Sequence, residues 1–272
     1  MNHQPLCCNR REFLRLIALV AGGAAAAGCA AATPQPVESE GDYYVAQTDR
    51  LLGDYDANLI FFTRAMMGRY DEAEIGAIGR AARRAYAELI PQLPYIGGDA
   101  NGLTTNLVQS AWCLALYRTL QSRGVPLMDV GRVLYKAISN MMAAYPPGFM
   151  HFGGLLEVST LSLESLKAGA AQSQQRRYAN DWVYTAVRGN GDDFDFGVDY
   201  TECGIVKFYQ AQGAPELTSY LCQLDFPMSA ASGSGLARTM TLGNGDAVCD
   251  FRYKWGRPVQ PSLAEGFLEG MW

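Results

Sequence analysis

The sequence predicts an α+β protein: an N-terminal helical body followed by a C-terminal antiparallel sheet of two hairpins bracketing helices. Three observations carry that expectation. Apolar residues recur at three- and four-residue steps up to about residue 178, the period shortens to two after Asp181, and an Asn-Gly turn occurs twice beyond it, in Gly189-Asn190-Gly191-Asp192 and Gly243-Asn244-Gly245-Asp246. With 272 residues, 49% hydrophobic and 18% charged, the chain has the apolar content for one sizeable core.

The first 29 residues read as an address. Arg10-Arg11-Glu12-Phe13-Leu14 precedes a short apolar stretch and a Gly/Ala run, the layout of a bacterial twin-arginine export signal. The stretch is too short and too rich in alanine to span a bilayer. Ala26-Ala27-Gly28-Cys29 resembles a lipobox, which would make Cys29 the acylated mature N-terminus; cleavage after Ala32 is the other reading. The expected partners are the twin-arginine machinery and, through a lipid anchor at Cys29, the membrane, with the protein in the bacterial periplasm or cell envelope. Residues 30–48, with Pro34, Pro36, Glu38 and Glu40, read as a flexible tether. The domain then covers 49–256, helical over 49–178 and α+β over 179–256, with a tail at 257–272.

Formal charge is −5, and removing Arg10, Arg11, Arg15 and Glu12 with the leader takes it to −7. That acidity argues against a nucleic-acid partner, which requires a basic footprint. Only His3 and His151 carry imidazoles, so mechanisms needing several of them are excluded.

Leu51, Leu52, Tyr55, Leu59, Phe62 and Met66 form one helical stripe. Ile75, Ile78, Ala82, Tyr86 and Leu89 form a second, behind the Asp71-x-x-Glu74 start signal. Two more helices are expected at about 103–122 and 127–145, ended by Pro146-Pro147-Gly148, and a fifth at about 158–178. The pairs Met66-Met67 and Met141-Met142 read as core filler. Strands follow at 182–188 and 194–202 around the first Asn-Gly turn, and at 236–242 and 247–254 around the second. Helical spacing lies between them, broken at Gly213-Ala214-Pro215.

A symmetric second hairpin has a chemical consequence. It sets Leu242 opposite Ala247, Met240 opposite Cys249 and Arg238 opposite Phe251, so Arg238 falls on the apolar, helix-facing side with Cys249, Phe251 and Tyr253. Thr239, Thr241, Asp250 and Arg252 take the other side. An unpaired charge on a core face costs several kcal/mol, roughly 3 to 5, so Arg238 needs an acid, such as Asp225, or an anionic ligand. Cys203, Cys222 and Cys249 each lie near a carboxylate, Glu202, Asp225 and Asp250, and Cys222 and Asp225 are spaced to share a helix face. The residues alone leave open buried structural thiols, disulfides, a metal site or a reactive thiol.

The runs Asp199-Tyr200-Thr201-Glu202-Cys203, Gly213-Ala214-Pro215-Glu216-Leu217, Leu221-Cys222-Gln223-Leu224-Asp225, Arg238-Thr239-Met240-Thr241-Leu242 and Cys249-Asp250-Phe251-Arg252-Tyr253, in that order, resemble the L-2-amino-thiazoline-4-carboxylic acid hydrolase family over about 182–255. The resemblance implies a hydrolase opening a cyclic amidine or thiazoline-type ring, toward N-carbamoyl-cysteine for the namesake substrate. The export signature departs from a cytoplasmic catabolic enzyme, so the namesake substrate does not follow from the resemblance. More distantly, the C-terminal unit resembles the vinyl-reductase-type domain of sensor proteins, which implies instead a non-catalytic, envelope-tethered ligand- or metal-binding module. For a hydrolase, Asp225 is the expected base, with Arg238, Asp250 and Arg252 on the substrate and Arg238 clamping its carboxylate. Cys222 and Cys203 are the expected nucleophile or metal ligands. Cys203, Cys222 and Cys249 are the candidate ligands for a divalent metal, zinc or manganese. Asp250 and Arg252 alternatively form an exposed strand ion pair worth under about 1 kcal/mol.

Overall fold

The computed structural model describes residues 42–157, 159–262 and 267–269. The leader, Cys29 and most of the expected tether lie outside them. Helices α1 to α7 are Asp42–Val45, Thr48–Met66, Glu72–Leu89, Thr104–Gln121, Leu127–Ala143, Pro147–Glu157 and Thr160–Ser173. Strands β1 (Val183–Arg188) and β2 (Phe196–Glu202) follow, then α8 (Gly204–Ala211), α9 (Leu217–Cys222) and α10 (Asp225–Ser232), and finally β3 (Leu236–Ala237) and β4 (Cys249–Tyr253). The strands form one antiparallel sheet in the order β1-β2-β4-β3. The architecture is therefore α+β with the helical part first.

Helix α4 is the axis of the core. Its run from Leu107 to Leu120 is buried nearly all round, because α3, α5, α8 and α9 pack against it from different sides. Helix α3 starts where the sequence marks a start: Asp71 accepts from the Glu74 N–H at 2.8 Å and Glu74 accepts from the Asp71 N–H at 3.0 Å. Met66 and Met142 are buried as expected, whereas Met67 is exposed.

Four boundaries differ from the sequence reading, each for a local reason. The tether ends earlier, because Asp42–Val45 is helical and Tyr44, buried, donates its hydroxyl to the Pro94 carbonyl. Pro146-Pro147-Gly148 ends α5 but also opens α6, since proline's fixed φ and missing N–H suit a first helical turn. The tail is not loose where it is described: Phe267 is buried, and Arg132 donates to its carbonyl at 2.9 Å.

The fourth concerns the second hairpin. Its register is the expected one, with Leu236 opposite Tyr253 and Ala237 opposite Arg252, but the ladder stops after two residues. The Asp250 carboxylate takes the N–H groups of Thr239 and Met240, at 2.8 and 2.6 Å, and the Thr239 hydroxyl at 2.6 Å. These donors no longer face a strand carbonyl, so β3 cannot lengthen. Thr241 then caps a short 3₁₀ turn at Leu242–Asn244 in place of a tight Asn-Gly hairpin.

Candidate functional site

The site lies between the helix-facing side of the sheet and the segment from α8 to α10. Strand register puts Tyr200 opposite Cys249 and Val198 opposite Phe251, and alternation turns these four side chains toward the helices. Cys203 directly follows β2 and precedes the first turn of α8, Cys222 is the last residue of α9, and Asp225 is the first of α10. Two short helices meeting at Gln223-Leu224 thus bring a thiol and a carboxylate to one spot.

Arg238 stands at the centre. Its side chain is 1% exposed, and its guanidinium lies 5.1 Å from the Phe226 ring centroid and 4.9 Å from that of Phe251. One terminal nitrogen donates to Asp225 Oδ2 at 2.6 Å and the other to the Cys222 carbonyl at 2.6 Å. Burial works against the charge, but Asp225 and Cys222 outweigh it and hold the Arg238 pKa above its ordinary value. The core-face arginine read from strand parity therefore has its acid partner.

The clamp expected on Arg238 would need an exposed guanidinium; here its side chain is 1% exposed, both terminal nitrogens are engaged, and it holds Asp225 Oδ2, while its Nε has no hydrogen-bond partner among the described residues.

Asp225 is different. Its side chain keeps 39% of its surface accessible, yet burial is the largest influence on its carboxyl and pushes it above the ordinary 3.8, with Arg238 pulling the other way. The carboxylate is therefore partly accessible within surroundings that disfavour its charge, and that accessible spot is the recess of the site. Cys203 and Cys222 share that combination of partial exposure and strong desolvation. Asp225 Oδ1 receives no hydrogen bond from the described residues.

Burial pushes the Cys203 thiol up to about 12 and Cys222 to about 11; the N–H groups of Val206 and Ile205 oppose the first and Arg238 the second without overcoming it. Cys249 is raised by burial as well. Thr241 ties the thiols to the turn, its hydroxyl lying 3.3 Å from Cys222 Sγ and 3.7 Å from Cys249 Sγ, while the Leu242 N–H donates to Cys249 Sγ at 3.2 Å. The turn passes so close that a Cβ on Gly243 would sit 3.0 Å from Cys222 Sγ. Cys113, Cys203, Cys222 and Cys249 are all free thiols.

Among the described residues no three His, Cys, Asp or Glu side chains are grouped to hold a metal ion. Cys203, Cys222 and Cys249, the ligands expected for zinc or manganese, do not form such a group.

The structure thus brings Cys203, Cys222, Asp225, Arg238 and Cys249 together and leaves Asp250 and Arg252 outside. These two point to the opposite side of the sheet. Asp250 holds the Thr239-Met240 backbone, and Arg252 pairs with Asp199 at 2.7 Å over the Phe194 ring, so neither reaches the recess and they do not pair with each other. His151 is exposed on α6, beside Trp255. Strand parity set Thr241 on the side away from Cys249, but the β3 ladder ends at Ala237 and the Thr241 hydroxyl turns to the two thiols instead; sequence reasoning missed Tyr200, which the alternation of β2 and its register with Cys249 do place on the site face.

A family model described as L-2-amino-thiazoline-4-carboxylic acid hydrolase matches residues 105–253, more than half of the chain, from α4 through β4, and every residue of the recess falls inside the match. No curated protein and no solved structure matches the chain.

Proposed function

The chain belongs to the L-2-amino-thiazoline-4-carboxylic acid hydrolase family, and on that premise we propose that it is a hydrolase opening a cyclic amidine or thiazoline-type ring by water attack, with Asp225 as the base. The observation that carries this reading is the Asp225 carboxylate, fixed through Oδ2 by a sequestered arginine and open through Oδ1 to a desolvated recess. A carboxylate so placed is more basic than one in water and does not have to reorganise to accept a proton.

Asp225 takes a proton from water as oxygen bonds to the ring carbon between nitrogen and sulfur, and passes it to the ring nitrogen. Collapse of the tetrahedral adduct breaks the carbon–sulfur bond, and the adduct's hydroxyl proton goes to the departing sulfur. The products are a ureido group and a thiol, with one water consumed. Cys203 and Cys222 line the recess as neutral thiols and keep it poorly hydrated. The expected role of Cys222 and Cys203 as ready nucleophiles is replaced here, because burial holds both thiols protonated near neutral pH.

The test is Asp225→Glu, which keeps the charge that balances Arg238 but moves the carboxylate. On 2-amino-thiazoline-4-carboxylate the rate is expected to fall by about 100-fold or more, with a melting temperature close to that of the parent. In the unchanged protein, kcat/KM should lose activity toward acid through a limb lying above the ordinary aspartate value of 3.8. Ligand-induced thermal stabilisation without turnover would instead favour a binding module.

The same reading includes export to the envelope by the twin-arginine route with Cys29 acylated. It is supported by Arg10-Arg11-Glu12-Phe13-Leu14 and Ala26-Ala27-Gly28-Cys29. Replacing Arg10 and Arg11 by lysine should hold precursor in the cytoplasm; normal export of that variant would refute the route.

A further inference from the structure

The recess contains an acceptor whose partners are known and a donor whose partner is missing. Tyr200 projects from the middle of β2 toward the helices, in register between Tyr184 on one side and Cys249 on the other. Its ring is held by Tyr184, 5.1 Å away and tilted, and by Phe251, 5.4 Å away edge to face. Phe251 is the ring on which the Arg238 guanidinium lies, so Tyr200 and Asp225 are joined by an unbroken series of contacts.

The two neighbouring tyrosines differ at their oxygens. The Tyr184 hydroxyl is directed at α7, where a Cβ on Gly169 would lie 2.5 Å from it. The Tyr200 hydroxyl makes no hydrogen bond with any described residue, and it is not among the side-chain atoms sealed away without a partner. A tyrosine enclosed by protein normally finds a partner for its O–H. One left open beside a carboxylate and two thiols is free to donate to whatever enters.

We infer that the Tyr200 hydroxyl donates a hydrogen bond to the ring heteroatom that leaves when the substrate opens, opposite the Asp225 carboxylate that activates water. This rests on the hydrolase reading above. Burial holds the phenol proton firmly, and the Asp225 carboxylate acts in the same direction, so Tyr200 donates a hydrogen bond and keeps its proton. Negative charge builds on the departing sulfur as the carbon–sulfur bond stretches, and a donor waiting there stabilises that charge more than it stabilises the bound ground state. The effect should grow with the basicity of the leaving atom, so an oxygen ring depends on Tyr200 more than a sulfur ring does.

The experiment compares Tyr200→Phe with the parent protein on 2-amino-thiazoline-4-carboxylate and on its oxazoline analogue. Removing an oxygen that makes no hydrogen bond with any described residue should leave the melting temperature unchanged. kcat is expected to fall about 10- to 100-fold on the thiazoline and further on the oxazoline, with a smaller change in KM. Tyr184→Phe serves as the control and should match the parent on both substrates. Equal losses on the two rings, or none, in a variant that melts like the parent would overturn the role of Tyr200 while leaving the hydrolase reading intact. A parent protein that neither turns over nor binds either ring would overturn both.

Discussion

The helical body and the sheet unit solve the problem of a core in different ways. Around α4 the body encloses leucines, alanines and aromatic rings, and its buried polar atoms are mostly hydroxyls. Behind the sheet the core encloses a guanidinium, a carboxylate and three thiols. Burying a charge pair gains little over apolar packing of the same shape, so stability alone does not account for Arg238 and Asp225. The comparison teaches that the first region is built to hold the second, and that the polar core of the second is where chemistry is to be sought.

The largest expected effect tests that difference directly. Arg238→Ala strands the Asp225 carboxylate and the Cys222 carbonyl and empties the space between Phe226 and Phe251, so it should cost about 3 to 5 kcal/mol in denaturant melts. Leu114→Ala in α4 should cost a similar 2 to 5 kcal/mol or so, from the cavity it leaves. The two are separated by rescue. Adding Asp225→Leu to Arg238→Met should recover much of the loss, because it removes both buried charges, whereas no second change in the body repairs a cavity. A double variant as unstable as Arg238→Ala would mean that the ion pair supports the fold and is not retained for function.

Legibility follows the same divide. Helices α2 and α3 could be read because each buries a stripe, and α3 also because its capping box is written in Asp71 and Glu74. Strand parity put Arg238 on the core face, and a buried charge without a partner pointed toward an acid. Parity could not show that Asp225 would sequester that arginine completely, since that depends on where α9 and α10 meet. Nor could it show the end of β3. Asp250 on a strand looks like a solvent-facing residue, and only its reach to two N–H groups on the neighbouring strand turns it into a stop. Nothing in the strand pattern distinguishes Tyr200, because the openness of its hydroxyl is a property of the folded chain.

A middle-sized effect concerns that stop. Asp250→Ala should cost about 1 to 2 kcal/mol, since water replaces only part of what the Thr239 and Met240 N–H groups lose. Burial raises the Asp250 pKa, but the hydrogen bonds from Thr239 and Met240 outweigh it and leave the carboxyl below its ordinary value. A lowered carboxyl stabilises the fold above its unfolded-state pKa and loses that contribution as pH falls through its folded one. The gap between variant and parent should therefore close on acidification through the range just below an ordinary aspartate. A gap independent of pH would mean that Asp250 acts by packing and not as the ionised acceptor.

The smallest expected effect falls in the body and has the opposite sign. Tyr55 is fully buried, stacked 5.2 Å from Tyr86 and edge-on to Trp112 at 5.9 Å, and its hydroxyl has no hydrogen-bond partner among the described residues. An unsatisfied buried hydroxyl loses its hydration on folding and regains nothing, so Tyr55→Phe should leave stability unchanged or raise it by up to about 1 kcal/mol. Tyr209 is the matched control, equally buried, with its hydroxyl donating to the Ser110 carbonyl at 2.7 Å. Tyr209→Phe leaves that carbonyl short of a donor and should destabilise by about 1 kcal/mol. Thermal melts of the two variants side by side decide the matter. A loss at Tyr55 as large as the loss at Tyr209 would mean that water sits among Tyr55, Tyr86 and Trp112, and the contrast between a dry body and a polar sheet core would have to be redrawn.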